Sequence, residues 1–276
     1  MSLQLRFLGT GTSAGVPMIG CDCAVCRSDD PRDHRGRPSV MISYPNTDGE
    51  GPALRNLLVD ATTDLRMAML AHDVQHLDAV LITHAHADHI FGIDDLRRFN
   101  AVMNRPIDVY ADAETHDALR RIFRYVFEPH TNRNQSFIPQ LTQRLVEPGV
   151  PIDLHGARWT PLALMHGRLP ILGFRIDLPG GADRPASLAY CTDVSAFPPQ
   201  TYPLLEELDV LVIDGLRYRH HPTHLTIDQA LEQIGQIQPK DAYLTHIAHD
   251  ILHADLEPRL PPGVHLPYDG LLVTVG

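Results

Sequence analysis

The 276-residue chain has no long apolar run. A membrane-spanning helix needs about 20 consecutive apolar residues, so none is expected. The opening residues, MSLQLRFLGTGTSAG, lack the basic-then-apolar pattern of a secretory leader and read as a strand entering a glycine-rich turn. The expected compartment is therefore the cytoplasm, where thiols stay reduced. Cationic excess is missing too. Lys and Arg number 23 against 34 Asp and Glu, a formal net charge of −11, which argues against broad nucleic-acid binding. There is no linker, repeat or low-complexity tract, so a single domain over 1–276 is the expectation. Cysteine is scarce: there are four, and three share one turn, IGCDCAVCR, as Cys21, Cys23 and Cys26. That spacing leaves a disulfide, a redox pair and a metal site open, and a reducing compartment favours the metal.

What is abundant is apolar residues, 43%, enough for a packed core, and histidine, with 17 copies. Histidine suits both proton transfer and metal ligation at neutral pH. Strand-like runs recur: LQLRFLG, SVMISY, NLLVDAT, DAVLITH, IDVYAD, RWTPLALMH, ILGFRIDL, SLAYCTD, DVLVIDGL, DAYLTHI and LLVTVG. Helical periodicity falls between them over 63–72, 90–103, 114–127, 201–208 and 226–237. The last helix has a start signal at Thr226 and Asp228 and ends before Pro239. Strands mixed with helices over the whole length predict an α/β layered domain. The polar stretch EPHTNRNQSF, 128–137, reads as a surface loop or a lid.

The stretch AVLITHAHADHIFGIDDLRRF places His84, His86, Asp88 and His89 directly after an apolar strand. Alternation along an extended chain points His84 and His86 the same way. The first turn of the helix that follows can aim Asp88 and His89 at the same spot. Imidazoles and a carboxylate converging in this way suit zinc and related divalent ions.

THAHADH matches the HxHxDH signature, and the chain is similar throughout to the metallo-β-lactamase superfamily. The resemblance implies a four-layer αββα sandwich with a two-metal site at one edge of the paired sheets. The later positions that match are His166 in LALMHGR, Asp193 in AYCTDVS and His246 in YLTHIAH. The implied arrangement sets His84, His86 and His166 on one metal and Asp88, His89 and His246 on the other. Asp193 and a water would bridge the two ions. Asp60, in NLLVDAT, matches a position that orients ligands rather than binding metal. Two cations 3.5–4 Å apart, roughly, support metal-assisted hydrolysis. An Asp bridge fits phosphodiesterases, glyoxalase-II-like thioesterases and lactonases, and departs from the zinc β-lactamases.

The segment GTGTSAGVPMIGCDCAVC, followed by DPRDHRGRPS, resembles the branch that contains the phosphoribosyl cyclic phosphodiesterase of the carbon–phosphorus lyase pathway. In that branch a CxCxxC turn and a histidine hold a separate structural zinc. The branch's pattern puts the fourth ligand at His249, three residues past His246, whereas spacing alone leaves His224 as a rival. Cys191 reads as a small buried apolar residue. His224, in RYRHHPTHLTIDQA, matches the branch's catalytic histidine and is expected to open the last helix. His224 and Asp88 are thus the candidate catalytic residues, with His224 as proton donor to a departing alkoxide. Arg217 and Arg219 could face a second phosphate or be surface charges.

The expected activity is hydrolysis of a small phosphate ester, such as a cyclic ribosyl or nucleotide phosphodiester, with two zinc or manganese ions in the active site and one structural zinc. The branch implies a homodimer. A thioesterase or lactonase on the same fold is the first alternative. A second is a non-catalytic assembly protein like the pyrroloquinoline quinone pathway member that shares the CxCxxC turn but lacks the full HxHxDH. Ribonuclease Z has a counterpart to THLTIDQA, but this chain has no insertion resembling its basic arm.

Overall fold

In a computed structural model of the chain, residues 2–49, 51–131, 136–180 and 185–276 are described. Among them, two seven-stranded sheets stack face to face. The first is built from β1 (Leu3–Gly9), β2 (Ser39–Pro45), β3 (Leu54–Val59), β4 (Ala79–Leu81), β5 (Ile107–Ala111), β6 (Leu141–Leu145) and β14 (Leu272–Val275), in the order β14-β1-β2-β3-β4-β5-β6. The second contains β7 (Ile152–Leu154), β8 (Ala157–His166), β9 (Leu169–Leu178), β10 (Ala186–Cys191), β11 (Val210–Asp214), β12 (Asp241–Thr245) and β13 (Val264–His265), and runs β13-β12-β11-β10-β9-β8-β7. Each sheet is antiparallel at its start and becomes parallel, the first from the β3–β4 pair onward and the second from the β10–β11 pair.

Alternating side chains fill the space between the sheets. Leu3, Leu5 and Phe7 of β1 point inward and meet Trp159, Phe174 and Tyr190 of the opposite sheet in one apolar cluster. Each such side chain contributes roughly 1.5–3 kcal/mol on burial. The outer faces are covered by helices α1 (Leu65–Ala71), α2 (Ala87–Ile90), α3 (Leu96–Met103), α4 (Ala113–Ile122), α5 (Arg124–Phe127), α6 (Ile227–Ile237) and α7 (His253–Leu256). The helices that follow β3, β4 and β5 cover the first sheet, through Leu65, Leu96 and Leu119 among others, and α6 covers the second through Ile227 and Ala230. The result is the four-layer αββα sandwich. No helix among the described residues is long and apolar enough to cross a membrane.

Several local expectations need correction. The periodic stretch 90–103 is interrupted rather than continuous: α2 ends at Ile90, a short 3-10 turn covers Ile93–Asp95, and α3 follows. Gly92 causes the break. Its N–H donates to the Ala61 carbonyl at 2.8 Å instead of continuing the helix. Residues 201–208 do not form an α-helix; a 3-10 segment, Pro199–Leu205, lies there with Pro203 inside it, because proline removes donors an α-helix needs. The 114–127 periodicity divides at Phe123 into α4 and α5. The short strands β6, β7 and β13 carry no clear alternation and were not expected. Of the proposed loop or lid at 128–137, residues 132–135 lie outside the described residues, and Pro129–Thr131 is a 3-10 turn.

Gly92 admits no side chain. A Cβ there would lie 2.0 Å from the Thr62 carbonyl oxygen and 2.8 Å from Leu65 Cβ. Gly92→Ala should therefore lower stability by about 1–3 kcal/mol, measured by urea unfolding; an unchanged midpoint would show that the loop yields without cost.

Candidate metal centre

The site lies where strand ends from both sheets meet. Asp60 follows β3, His84 lies just past β4, and His166 ends β8. Asp193, Asp214 and His246 come at or just beyond the ends of β10, β11 and β12. This is the carboxyl edge of the parallel strands, where open α/β sheets gather ligands. Asp60, Asp193 and His246 all have left-handed backbone, with φ of 65°, 56° and 61°. Such residues turn the chain sharply away from its strand, and the surrounding contacts hold a conformation that non-glycine residues rarely adopt.

Two groups of candidate ligands result. His84, His86 and His166 bring one nitrogen each within 4.8 Å of one another, and Asp88, His89, Asp193 and His246 form a second set by the same measure. Asp193 also lies within that distance of His166 and His224, so its carboxylate reaches toward both sets. One of its oxygens is 3.3 Å from His89 Nε2 and the other 3.3 Å from His246 Nε2. His86 is exposed at the mouth, whereas His84 and His89 are buried.

The neighbours fix the tautomers. Thr83 Oγ1 donates to Asp60 and so accepts from His84 Nδ1 at 3.1 Å. His89 Nδ1 donates to Asp60 Oδ2 at 2.7 Å. His166 Nδ1 faces two carbonyls, those of Asp193 and Thr223, each at 2.9 Å. A carbonyl only accepts, so the proton sits on Nδ1 and the Nε2 lone pair is free. The Nε2 atoms of His84, His89 and His246 are buried without a hydrogen-bond partner. Orphaned imidazole nitrogens facing carboxylates are costly unless a cation fills the gap, so the residues fit divalent metal. Asp60 orients two of the imidazoles without joining either group.

Charges respond to this crowding. Burial works against the charge of Asp193, yet His246 and His89 outweigh it and hold the carboxyl well below its ordinary range. Burial would also lower His246, but the Asp193 and Asp88 carboxylates lift it to about 9. At His84 burial, reinforced by His89, pushes the imidazole well below its usual value, which leaves it a neutral donor.

His224 lies at this centre's edge, with a ring nitrogen within 4.8 Å of ligand atoms of His166 and Asp193. Its ring stacks on His246 at 4.5 Å, and its Nδ1 donates to the buried Asp214 at 2.6 Å. It does not open α6 as expected. The helix begins after Thr226, whose side chain and Gln229 form a reciprocal capping box, and His224 sits in the preceding loop, held by Asp214. The sequence reading missed Asp214; its one visible signal is a carboxylate closing the apolar run DVLVID.

The cysteine turn forms a separate group. Sγ of Cys21, Cys23 and Cys26 lie 3.3, 3.4 and 3.7 Å from His249 Nδ1. His249, not His224, is the histidine beside them, and all three thiols are free. The Cys26 N–H donated to Cys23 is the main cause lowering that thiol to about 6, while burial pushes Cys26 up to about 11. Cys191 is fully buried in β10, away from this turn.

Residues 55–247 match the model of the beta-lactamase superfamily domain. The chain belongs to the metallo-β-lactamase superfamily. Its branch follows from a crystal structure of a diphosphatase from the PhnP family, 38% identical, with a TM-score of 0.85 over 99% of this chain and 97% of that one. An octanoyltransferase from Porphyromonas gingivalis is 40% identical over 271 residues, 98% of this chain and 51% of that protein. Ribonuclease Z from Pyrobaculum calidifontis is 26% identical over 98% of both chains. The chain spans about half the length of the first curated relatives it matches.

Asp60→Ala removes the acceptor for His89 and for Thr83. Metal affinity should fall about 10–100-fold, read by chelator competition; wild-type affinity would mean that both imidazoles keep their orientation without it.

Proposed function

We propose that the chain is a two-metal phosphodiesterase acting on a small phosphate diester, such as a cyclic ribosyl or nucleotide phosphate. The observation that carries this reading is Asp193, one carboxylate set within reach of both ligand groups. His84, His86 and His166 would hold one ion, Asp88, His89 and His246 the other, and Asp193 both. Zinc and manganese suit these donors equally. Loaded, the pair would neutralise charge on a phosphoryl oxygen and make water a nucleophile at neutral pH. One domain over 1–276 is part of the same proposal, because both sheets supply ligands.

The protein's own groups do the rest. Exposed His86 marks the open side by which a diester anion enters. His224 directs Nε2 into the cleft while Asp214 holds its Nδ1 proton. Burial, then His246, pushes the free imidazole down to about 3; the negative charge of an entering phosphodiester raises it again. So placed, His224 delivers a proton to the departing alkoxide.

A thioesterase is the second reading, favoured by the name of the Porphyromonas gingivalis relative, which concerns acyl transfer. This chain accounts for about half of that protein, and the name does not say which half performs the transfer. A screen of bis-p-nitrophenyl phosphate, 2′,3′-cyclic nucleotides, S-lactoylglutathione and a simple lactone, with zinc and with manganese, separates the readings. Phosphodiesters should turn over fastest; a faster thioester would replace the proposal. His224→Ala should cost about 10²–10⁴-fold on diesters with alkoxide leaving groups and far less on p-nitrophenyl esters, whose phenolate leaves without a proton. Equal losses on both would remove His224 as the acid.

We infer a separate structural zinc at Cys21, Cys23, Cys26 and His249, a closed Cys₃His set. A thiol already shifted toward the thiolate is a ready first ligand, and binding would deprotonate the others. Cys23→Ser should lose about one zinc per chain by elemental analysis and unfold at lower temperature. Retention of full zinc content would leave the thiols as a redox group.

A further inference from the structure

His246 and His249 lie on one short loop, one in each proposed metal group, and the loop's support comes from elsewhere in the chain. Ile247 between them is gripped on both sides of its backbone: its N–H donates to the Thr10 carbonyl at 2.9 Å, and its own carbonyl accepts from Thr12 N–H at 3.1 Å. Gly11 and Ile247 thus form an isolated parallel bridge. The glycine-rich turn after β1 is the rail on which the ligand loop lies.

That rail is fixed by Asp269, near the other end of the sequence. Its Oδ1 accepts from Thr10 N–H at 2.9 Å and from Thr10 Oγ1 at 2.8 Å. Its Oδ2 accepts from Gly36 N–H at 2.6 Å. Gly36 in turn accepts from Gly11 N–H at 2.8 Å, so one carboxylate splints the two strands of chain that flank the rail. The fit is close: a Cβ on Gly36 would stand 3.2 Å from Asp269 Oδ2, and one on Gly11 would stand 2.8 Å from Arg35 Cβ. The three donors all require an acceptor, a demand that an ionised carboxylate meets and an amide meets on one side alone.

We propose that Asp269 is a positioning residue for both metal groups, acting through Thr10 and Ile247 on His246 and His249. It touches neither group. It sets where the ligand loop lies, and with it the angle at which the left-handed His246 leaves β12. The proposal rests on His246 and His249 being ligands.

Cobalt(II) substitution tests it, because the two groups give different signals: d–d bands from the histidine–carboxylate centre and thiolate-to-cobalt charge transfer from the cysteine turn. In Asp269→Asn, apparent cobalt affinity should fall about 10-fold, both signals should shift, and kcat should drop with KM changed less than about 2-fold. Thr10→Val, which removes one donor and keeps the shape, should move the same signals in the same direction by less, and it decides the matter if Asp269→Asn does not fold. A residue that merely stabilises the fold would lower the melting temperature and leave both spectra and cobalt affinity as in the wild type; that result overturns the proposal. Wild-type protein that takes up no cobalt overturns the ligand assignment itself, and the positioning role falls with it.

Discussion

A single buried carboxylate sets the terms for the rest of the site. Asp193 is 2% exposed, and an ionised carboxylate that far from water is held only where positive or hydrogen-bonding partners surround it. His89 and His246 stand on either side of it at 3.3 Å. They must be brought there from different sheets, since β4 leads into His89 and β12 leads into His246. The two sheets therefore have to end at the same level, with their parallel strands pointing toward the same edge. The apolar packing of Phe7, Trp159, Phe174 and Tyr190 between the sheets holds that level.

The strand ends show the consequence in the backbone. Asp60, Asp193 and His246 each take the left-handed conformation as the chain leaves its strand. Glycine would adopt it at less cost, but glycine has no side chain to offer. Function and local propensity conflict at these three positions, and the structure resolves the conflict by clamping each one. Ile247 is pinned beside His246 by Thr10 and Thr12. Asp60 binds Thr83 through both its oxygens. Tight supports of this kind are what keep unfavourable backbone at a functional site.

Much of this was legible in the sequence because the information is local. HAHADH carries four candidate ligands in six residues, and apolar runs before His166, Asp193 and His246 mark them as strand-terminal. The cysteine turn is local as well, although its fourth partner, 223 residues from Cys26, came from family resemblance rather than spacing. The parts that stayed hidden are those that depend on chain segments meeting. Asp214 looks like any acidic residue closing a strand until the loop folds back to set His224 against it. Asp269 sits in PYDGLL, which has no motif, and its three hydrogen bonds go to residues more than two hundred positions away. The break at Gly92 was invisible because the helical period runs on through it; what draws the chain out of the helix is the Ala61 carbonyl, a tertiary neighbour that accepts the Gly92 N–H.

Asp60 and Asp214 show how the same device can serve two chemical ends. Each is fully buried, and each accepts the Nδ1 proton of one histidine, at 2.7 Å and 2.6 Å. In both cases the carboxylate decides which ring nitrogen keeps the proton and leaves Nε2 without one. Burial raises the pKa of both carboxyls, that of Asp214 well above its ordinary value. The difference lies in what stands in front of the ring. His89 faces Asp88 and Asp193, where a cation completes the set, and its lone pair has a place to go. His224 lies outside that set, stacked on the ring of His246 at 4.5 Å. One carboxylate–imidazole pair thus lies inside a ligand group and the other stands beside it, the position from which the proposed proton transfer is drawn. The distinction comes from the position of each pair relative to Asp193, not from the residues themselves.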